Sequence, residues 1–213
     1  MSREVPMSAT IRFSQREIRD LLVAWGALGL AFTFFLNRSL VSRVLQAPGT
    51  IDATAFAVAF VLSLVTAGVG FLLHELAHKV VAIRFGQVAE FRADYGMLFL
   101  AVASGLAGFL FAAPGAVYHR GRATLRQHGL IALAGPATNV ALGVAFFPLY
   151  LFGPSLLGEV GHLGVVINFL LAGFNMIPFG PLDGKTVKDW SFAAFLGAGL
   201  PCFGLAVWAL FSF

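Results

Sequence analysis

The stretch HELAHK, residues 74–79, closes the apolar run 53–73 with two histidines, a glutamate and a lysine. Ionisable groups are costly in a membrane segment and mark functional sites there by default. His74 and His78 are four residues apart, so on a helix both imidazoles project from one face and can reach one metal ion. Glu75 lies beside them, where it can act as a general base without being a ligand. The stretch predicts a two-histidine metal site with a catalytic carboxylate.

The composition places this site in a membrane protein. Of the 213 residues, 59% are hydrophobic and 11% are charged, whereas soluble domains carry about 25% charged residues. So few charges cannot cover a water-facing surface, and the sequence predicts an all-α polytopic protein with one domain, 1–213, embedded in the lipid bilayer. The net charge of +4 lies in short loops between apolar runs, which is typical of topology signals and not of nucleic-acid binding.

Six apolar runs are candidates for spans, because a spanning helix needs about 20 mostly apolar residues. The first follows a basic region, but no small-residue cleavage site comes after it, so we interpret it as a retained helix and not as a signal peptide. Ser14 and Glu17 have the spacing of a capping box ahead of it. The runs are 21–36, 53–73 with a helical continuation to about 85, 97–117, 130–152, 163–177 and 192–213.

The charges decide whether the run 97–117 crosses the membrane. If it enters and returns, twelve of the fourteen Lys and Arg residues lie on the cytoplasmic side, and only Arg38 and Arg43 lie outside. If it spans, the division is seven to seven. Positive residues favour the cytoplasmic side, so we predict five spans, a re-entrant, strand-like segment at about 87–117 and a cytoplasmic N-terminus. Six transmembrane helices are the alternative.

A third ligand is expected at the depth of the histidines, because a catalytic zinc usually has three protein ligands and one open position. Asp183 follows the run 163–177, and the breakers between them allow the chain to turn its carboxylate back toward the metal. Asn175 lies eight residues earlier and has two interpretations: a donor to a developing oxyanion, or a partner for a carbonyl freed by Pro178. The same two interpretations apply to Asn139, for which a structural role is favoured.

Three motifs together resemble the site-2 protease family of intramembrane zinc metalloproteases. They are HELAHKVVA (74–82), GPATN (135–139) and NMIPFGPLDG (175–184), in the family's order and within a core at about 53–184. The resemblance implies that the strip 87–117 includes membrane-inserted strand or hairpin structure beside the site. It does not extend to the PDZ-like and CBS-like regions of larger members.

The resemblance also implies site roles and an activity. Zn²⁺ would be held by His74, His78 and Asp183, with Glu75 as the base and Asn175 positioning the substrate or stabilising the oxyanion. The implied enzyme is a zinc endopeptidase that hydrolyses peptide bonds within or near transmembrane segments of membrane proteins, in regulated intramembrane proteolysis. Its active site is expected to open toward the cytoplasm.

Two other functions are open. A non-proteolytic metal-binding membrane protein, such as a transporter or sensor, would have polar residues at several depths and no need of Glu75. An unrelated membrane zinc protease would use a glutamate as third ligand, but Glu159 lies at the opposite end of its span. Among the remaining histidines, His119 and His128 are predicted to be solvated in a basic loop.

Overall fold

Five helices in the computed structural model, which describes residues 11–110 and 114–212, are long and apolar enough to cross a membrane. Each coincides with a predicted span, so the chain is an all-α polytopic membrane protein. They are α1 (Gln15–Leu36), α3 and α4 joined end to end (Ala53–Ser63 and Val69–Arg84), α6 (Leu125–Phe152), α7 (Ser155–Asn175) and α9 (Phe192–Ser212). The shorter elements are α2 (Arg38–Gln46), a 3-10 turn (Pro48–Thr50), β1 (Val88–Ala93), α5 (Tyr95–Ala107), β2 (Gly115–Arg120) and α8 (Asp183–Trp190).

The first helix begins at its predicted cap, but only half of the capping box forms. Ser14 Oγ accepts the backbone N–H of Glu17 at 3.1 Å. The carboxylate of Glu17 does not return to the backbone of Ser14; it accepts from the Lys79 ammonium instead. A buried carboxylate gains more from a cation than from a neutral amide, and this explains the difference.

A π turn at Leu64–Gly68 joins α3 to α4 and fixes the motif helix to α1. A π turn leaves backbone carbonyls free of their usual i→i−4 partners, and Trp25 Nε1 donates to the carbonyl of Leu64 at 3.0 Å. The indole lies so close to Gly68 that a Cβ there would come within 2.5 Å of Trp25 Cδ1. Trp25 is therefore a packing residue of the core.

The segment between α4 and α6 turns back on itself and does not cross. Strands β1 and β2 pair antiparallel, with Val88 opposite Arg120 and Ala93 opposite Gly115, so the two ends of the segment lie side by side. The helix between them, α5, has 13 residues and a length of about 20 Å, short of the roughly 30 Å of a bilayer core. This is the predicted re-entrant, strand-like segment.

Helix α5 runs along α1 from one end to the other. At the start, the Tyr95 hydroxyl donates to Asp20 at 2.7 Å. At the finish, the Arg38 guanidinium donates to the carbonyl of Gly108 at 2.8 Å, where positive charge stabilises a helix C-terminus. The chain then returns past Leu110, which packs against α1, the π turn and α7. At Leu110 the non-helical chain thus packs against protein, as backbone at membrane depth requires.

Candidate metal centre

The three predicted ligands meet at the spacing of a metal site. The Nε2 atoms of His74 and His78 lie 3.0 Å apart. Asp183 Oδ2 lies 3.2 Å from Nε2 of His74 and 3.4 Å from Nε2 of His78. With metal–nitrogen distances of about 2.0–2.1 Å, a tetrahedral zinc spaces its ligand atoms by about 3.3 Å. The three atoms therefore have the spacing of one face of a zinc tetrahedron, and a zinc ion held by them would keep its fourth position for water or substrate.

Burial gives an independent test of this fit. The side chains of His74, His78 and Asp183 are only 6%, 10% and 16% exposed. Asp183 Oδ2 is buried without a hydrogen-bond partner among the described residues, which is costly for a carboxylate oxygen. A cation held between the three side chains would satisfy it. Two imidazoles and a carboxylate are a donor set that zinc prefers in catalytic sites.

Helix α6 holds His74 in the tautomer that a metal needs. Asn139 Oδ1 lies 2.6 Å from His74 Nδ1. The orientation of that amide follows from its other partners, because Asn139 Nδ2 donates to the carbonyl of Gly70 at 3.2 Å and to Asn168 Oδ1 at 3.0 Å. Since Asn139 Oδ1 can only accept, His74 Nδ1 carries the proton and its Nε2 presents a lone pair to the metal.

The same helix orients the second histidine and makes room for both. His78 Nδ1 donates to the carbonyl of Ile131 at 2.7 Å, which likewise leaves Nε2 for the metal. Gly135, the first residue of the GPATN motif, lies against the rings. A Cβ there would come within 2.4 Å of His74 Cε1 and 2.5 Å of His78 Nε2. The motif thus supplies an orienting amide and the space for two imidazoles.

The structure therefore changes the interpretation of Asn139 and adds Asn168. The sequence favoured a structural role for Asn139, yet its side chain bonds a predicted ligand. Asn168 was not predicted, although an amide inside the apolar run of α7 was a signal. Both side chains are fully buried, and Asn168 Nδ2 donates to the carbonyl of Gly164 at 2.8 Å. Asn168 orients the side-chain amide of Asn139, which in turn orients the His74 ring.

The third ligand reaches the site through the break between α7 and α8. Helix α7 ends at Asn175, and Asp183 is the first residue of α8. Gly180, in between, has a φ of +62°, a conformation that favours glycine. Gly184 packs so tightly that a Cβ would lie 2.1 Å from the carbonyl oxygen of Met176. The predicted breakers therefore fold the loop back and aim the carboxylate at the histidines.

Asn175 lies beside the site, and its side chain does not bond the carbonyl that Pro178 leaves free. Its Nδ2 donates to the carbonyl of Leu171 at 3.0 Å. The carbonyl that Pro178 leaves free belongs to Phe174, and it accepts the N–H of Ile177 at 3.1 Å. The carbonyl freed by Pro178 therefore needs no hydrogen bond from Asn175. The side chain of Asn175 borders the cavity of the metal site.

A cavity of about 1050 Å³ adjoins the three ligands. Glu75 is 8% exposed and borders this cavity, as do residues of β2. The backbone N–H of Val117 is directed at the Glu75 carboxylate. The predicted base, the three predicted ligands and Asn175 thus share one chamber, which is of a size that binding sites have.

Lys79 is a buried residue and not a solvated helix end. Its Nζ lies 2.5 and 2.6 Å from the two carboxylate oxygens of Glu17, and both side chains are 1% exposed. Lys79 also donates to the carbonyl of Arg12 at 2.7 Å and lies 3.9 Å from the centre of the Phe13 ring. Glu17 in turn accepts the N–H of Phe91 at 3.0 Å. The ion pair joins the motif helix to α1 and to β1.

The expectation that His119 and His128 are solvated is wrong. Both side chains are half-buried and line the cavity of the metal site. Their rings lie together, with centroids 5.2 Å apart. The basic loop predicted around them is largely strand β2 and the start of α6, which turn the two imidazoles inward.

Curated proteins similar to this chain share one kind of name. MJ0611 of Methanocaldococcus jannaschii is 42% identical over 205 residues, which cover 94% of this chain and 97% of that protein. YwhC of Bacillus subtilis is 30% identical over 59% of this chain and 66% of its own length. Rip3 of Mycobacterium tuberculosis is 36% identical over 53% of this chain and 26% of its own length. All three are provisionally named zinc metalloproteases.

No family model matches the chain, and no solved structure does. The relationship rests instead on a relative that aligns over nearly the full length, on the three motifs and on the ligand geometry. The metal implied by the relatives' names is zinc, which the donor set fits. The chain belongs to the site-2 protease family of membrane zinc metalloproteases.

Proposed function

We propose that this metalloprotease cleaves peptide bonds within or near the transmembrane segments of membrane proteins, in regulated intramembrane proteolysis. The observation that carries the proposal is the joint position of five side chains. His74, His78 and Asp183 lie at ligand spacing, and Glu75 and Asn175 border the same cavity. The cavity lies among helices long enough to cross a bilayer, so its substrates are expected to be membrane-embedded chains.

The residues have distinct roles in this proposal. His74, His78 and Asp183 hold the zinc ion, which when bound supplies Lewis-acid activation of water and of the scissile carbonyl. Glu75 accepts a proton from the attacking water and passes it to the leaving amine. One amide hydrogen of Asn175 is used on the carbonyl of Leu171, which leaves the second for the oxyanion of the substrate.

A transmembrane substrate must be unwound before it can be cleaved, because helical hydrogen bonds shield its amides. The two-stranded sheet offers a partner for the extended form. The N–H groups of Phe91 and Ala93 donate to Glu17 and Asp20 of α1, at 3.0 and 3.4 Å, so these residues of β1 point away from β2. The outer edge of β1 is therefore covered by two carboxylates.

The other edge of the sheet remains for a substrate. Val117 and Gly115 are opposite Phe91 and Ala93. In an antiparallel ladder, opposite residues share their orientation, so the amide groups of Val117 and Gly115 also point away from the pairing. The N–H of Val117 faces the Glu75 carboxylate, and a substrate carbonyl would replace that contact. Both residues line the cavity. We propose that an unwound substrate segment adds to this edge of β2, as in other cases of strand addition, and so passes Glu75.

The orientation of the enzyme in the membrane is part of the proposal. The re-entrant topology places twelve of fourteen Lys and Arg residues on one side, which the positive-inside rule assigns to the cytoplasm. The N-terminus and the opening of the cavity then face the cytoplasm.

The test compares four purified proteins: the wild type, Glu75→Gln, Asp183→Asn and a control variant. Zinc content and cleavage of a model substrate with one transmembrane helix are measured for each. We expect Glu75→Gln to retain zinc and lose cleavage, and Asp183→Asn to lose most of both. Glu159→Gln is the matched control, because Glu159 is exposed on α7 and far along that helix from the site.

Two results would contradict the proposal. Normal cleavage by Glu75→Gln would remove Glu75 from the mechanism. A wild type that retains zinc but cleaves no membrane substrate would favour the metal-binding transporter or sensor. A soluble peptide of the same cleavage sequence shows whether the membrane segment is needed.

A further inference from the structure

A second pair of imidazoles faces the same cavity, separate from the three zinc ligands. His119 lies on β2 and His128 in the first turn of α6, with ring centroids 5.2 Å apart and planes inclined by 42°. Within residues 11–110 and 114–212, neither ring has a hydrogen-bond partner. We propose that His119 and His128 bind a second divalent ion of the zinc class, more weakly than the catalytic site does.

The separation of the rings suits a shared ion. Two imidazoles on one tetrahedral zinc, with Zn–N distances of about 2.0–2.1 Å, have centroids about 5 Å apart. The His119–His128 pair lies at 5.2 Å, and the His74–His78 pair of the catalytic site at 4.6 Å. Two protein ligands, with solvent completing the coordination, make a weaker site than three.

The charges near the pair do not oppose a cation. The residues of β2 alternate between its faces, so Arg120 is exposed on the face opposite His119. Arg126 precedes His128 by two residues, about 200° around the helix, and is also exposed. The carboxylates that share the cavity with the pair are those of Glu75, Asp94 and Asp183. Arg92 also borders the cavity, and its guanidinium is paired with the Glu90 carboxylate at 2.5 Å.

The protonation of His119 is also suited to binding. Burial lowers the pKa of His119, which favours the neutral imidazole that binds metals.

Occupancy of this site has a consequence for cleavage, and this step rests on the proposed function. An ion on His119 and His128 ties β2 to α6 beside the edge at which a substrate strand is proposed to add. Excess zinc should therefore slow cleavage by filling the second site, while the catalytic ion stays in place. The histidine pair would make the enzyme sensitive to the free zinc concentration.

The test measures zinc binding by equilibrium dialysis of the untagged, full-length protein, because a polyhistidine tag would bind the ion. We expect two zinc ions per wild-type chain, one tight and one weak. His119→Gln and His128→Gln should each retain the tight ion and lose the weak one. Asp183→Asn should lose the tight ion and retain the weak one. His162→Gln, which changes a histidine on α7 outside the cavity, should retain both.

The stoichiometry decides the proposal without any measurement of proteolysis. A single zinc ion in the wild type would overturn it, and so would a weak ion that persists in both His119→Gln and His128→Gln. The tight ion retained in these variants shows that they are folded. Cleavage at rising zinc concentrations is then compared for the wild type and His128→Gln: inhibition confined to the wild type is expected, and equal inhibition of both would overturn the regulatory role.

Discussion

Asn139 Oδ1 lies 2.6 Å from Nδ1 of His74 and leaves Nε2 of that ring as the nitrogen that faces the other two predicted ligands. The amide is fully buried and is itself held by Gly70 and Asn168. A zinc site with only three protein ligands depends on each of them being correctly oriented before the ion arrives. In this enzyme the orientation is supplied from a different helix, α6.

The first prediction concerns this amide. Asn139→Leu removes the acceptor of His74 Nδ1 and leaves the buried Asn168 Oδ1 without its donor. Loss of such an outer partner lowers metal affinity by about 10–100-fold, which competition with a chelator at pH 7 measures. Thr138→Ala is the control, because its hydroxyl bonds only the carbonyl of Ala134 in its own helix. Equal zinc affinities in the two variants would refute the role of Asn139.

The second prediction concerns the space around the imidazoles. Gly135→Ala puts a methyl group within 2.4 Å of His74 Cε1 and should displace both rings, with loss of zinc and of cleavage. Gly26→Ala, in the middle of α1 with nothing within 4 Å of its Cβ position, should retain zinc and gain up to about 1 kcal/mol of stability. Zinc content and thermal unfolding in detergent distinguish the two. A zinc-loaded Gly135→Ala would contradict the packing described.

The third prediction concerns the buried ion pair. Lys79→Met leaves the Glu17 carboxylate buried without its cation, and such a change costs about 3–5 kcal/mol of unfolding free energy. Replacing both partners, by Lys79→Met with Glu17→Leu, should restore part of that loss. Denaturant unfolding measures both variants.

An exposed ion pair provides the comparison. Lys185 Nζ lies 2.5 Å from Asp189 Oδ2, and the two side chains are 51% and 55% exposed. Asp189→Asn should therefore lower the free energy of unfolding by at most about 1 kcal/mol. If Lys79→Met cost no more than Asp189→Asn, the burial of the first pair would not be energetically important.

The fourth prediction tests the open edge of β2. Val117→Pro removes an N–H that points away from β1 and faces Glu75, so the sheet should form while a substrate strand and Glu75 each lose a hydrogen-bond donor. A short peptide that is too small to pair with the strand separates the two effects, because its cleavage should fall only through the loss at Glu75. We expect zinc content to be unchanged and cleavage of the membrane substrate to fall by roughly tenfold, from one lost bond of about 1 kcal/mol and a constrained backbone. Val117→Ala retains the N–H and should stay near the wild-type rate. Equal rates for the two variants would exclude pairing at this edge.

Local patterns predicted most of the architecture. Apolar runs identified the five spans, and the distribution of arginine and lysine identified the re-entrant segment because loop charge responds to topology. The spacing of His74 and His78, and the family pattern around Asp183, predicted the residues that the structure brings together. Each of these signals lies within a short stretch of chain or in its overall charge.

Contacts between distant parts of the chain were not predictable in the same way. Lys79 and Glu17 are 62 residues apart. No periodic pattern in the sequence indicates that the two charges form a buried ion pair. His119 and His128 looked solvated because their neighbours in sequence are arginines, yet strand alternation and helix rotation place those arginines on other faces. Asn168 is conspicuous only once Asn139 is known to lie against it.

The carboxylates of Glu17 and Asp20 also limit how this protein meets its own copies. An uncovered strand edge is a template on which a second chain can join and aggregate. The backbone N–H groups of Phe91 and Ala93 already donate to Glu17 and Asp20. Two neighbouring copies in a crowded bilayer therefore cannot pair their sheets through β1. The edge of β2 that lines the cavity of the predicted zinc ligands is the one proposed to accept a strand, so a strand that joins there would lie beside Glu75 and not extend an aggregate.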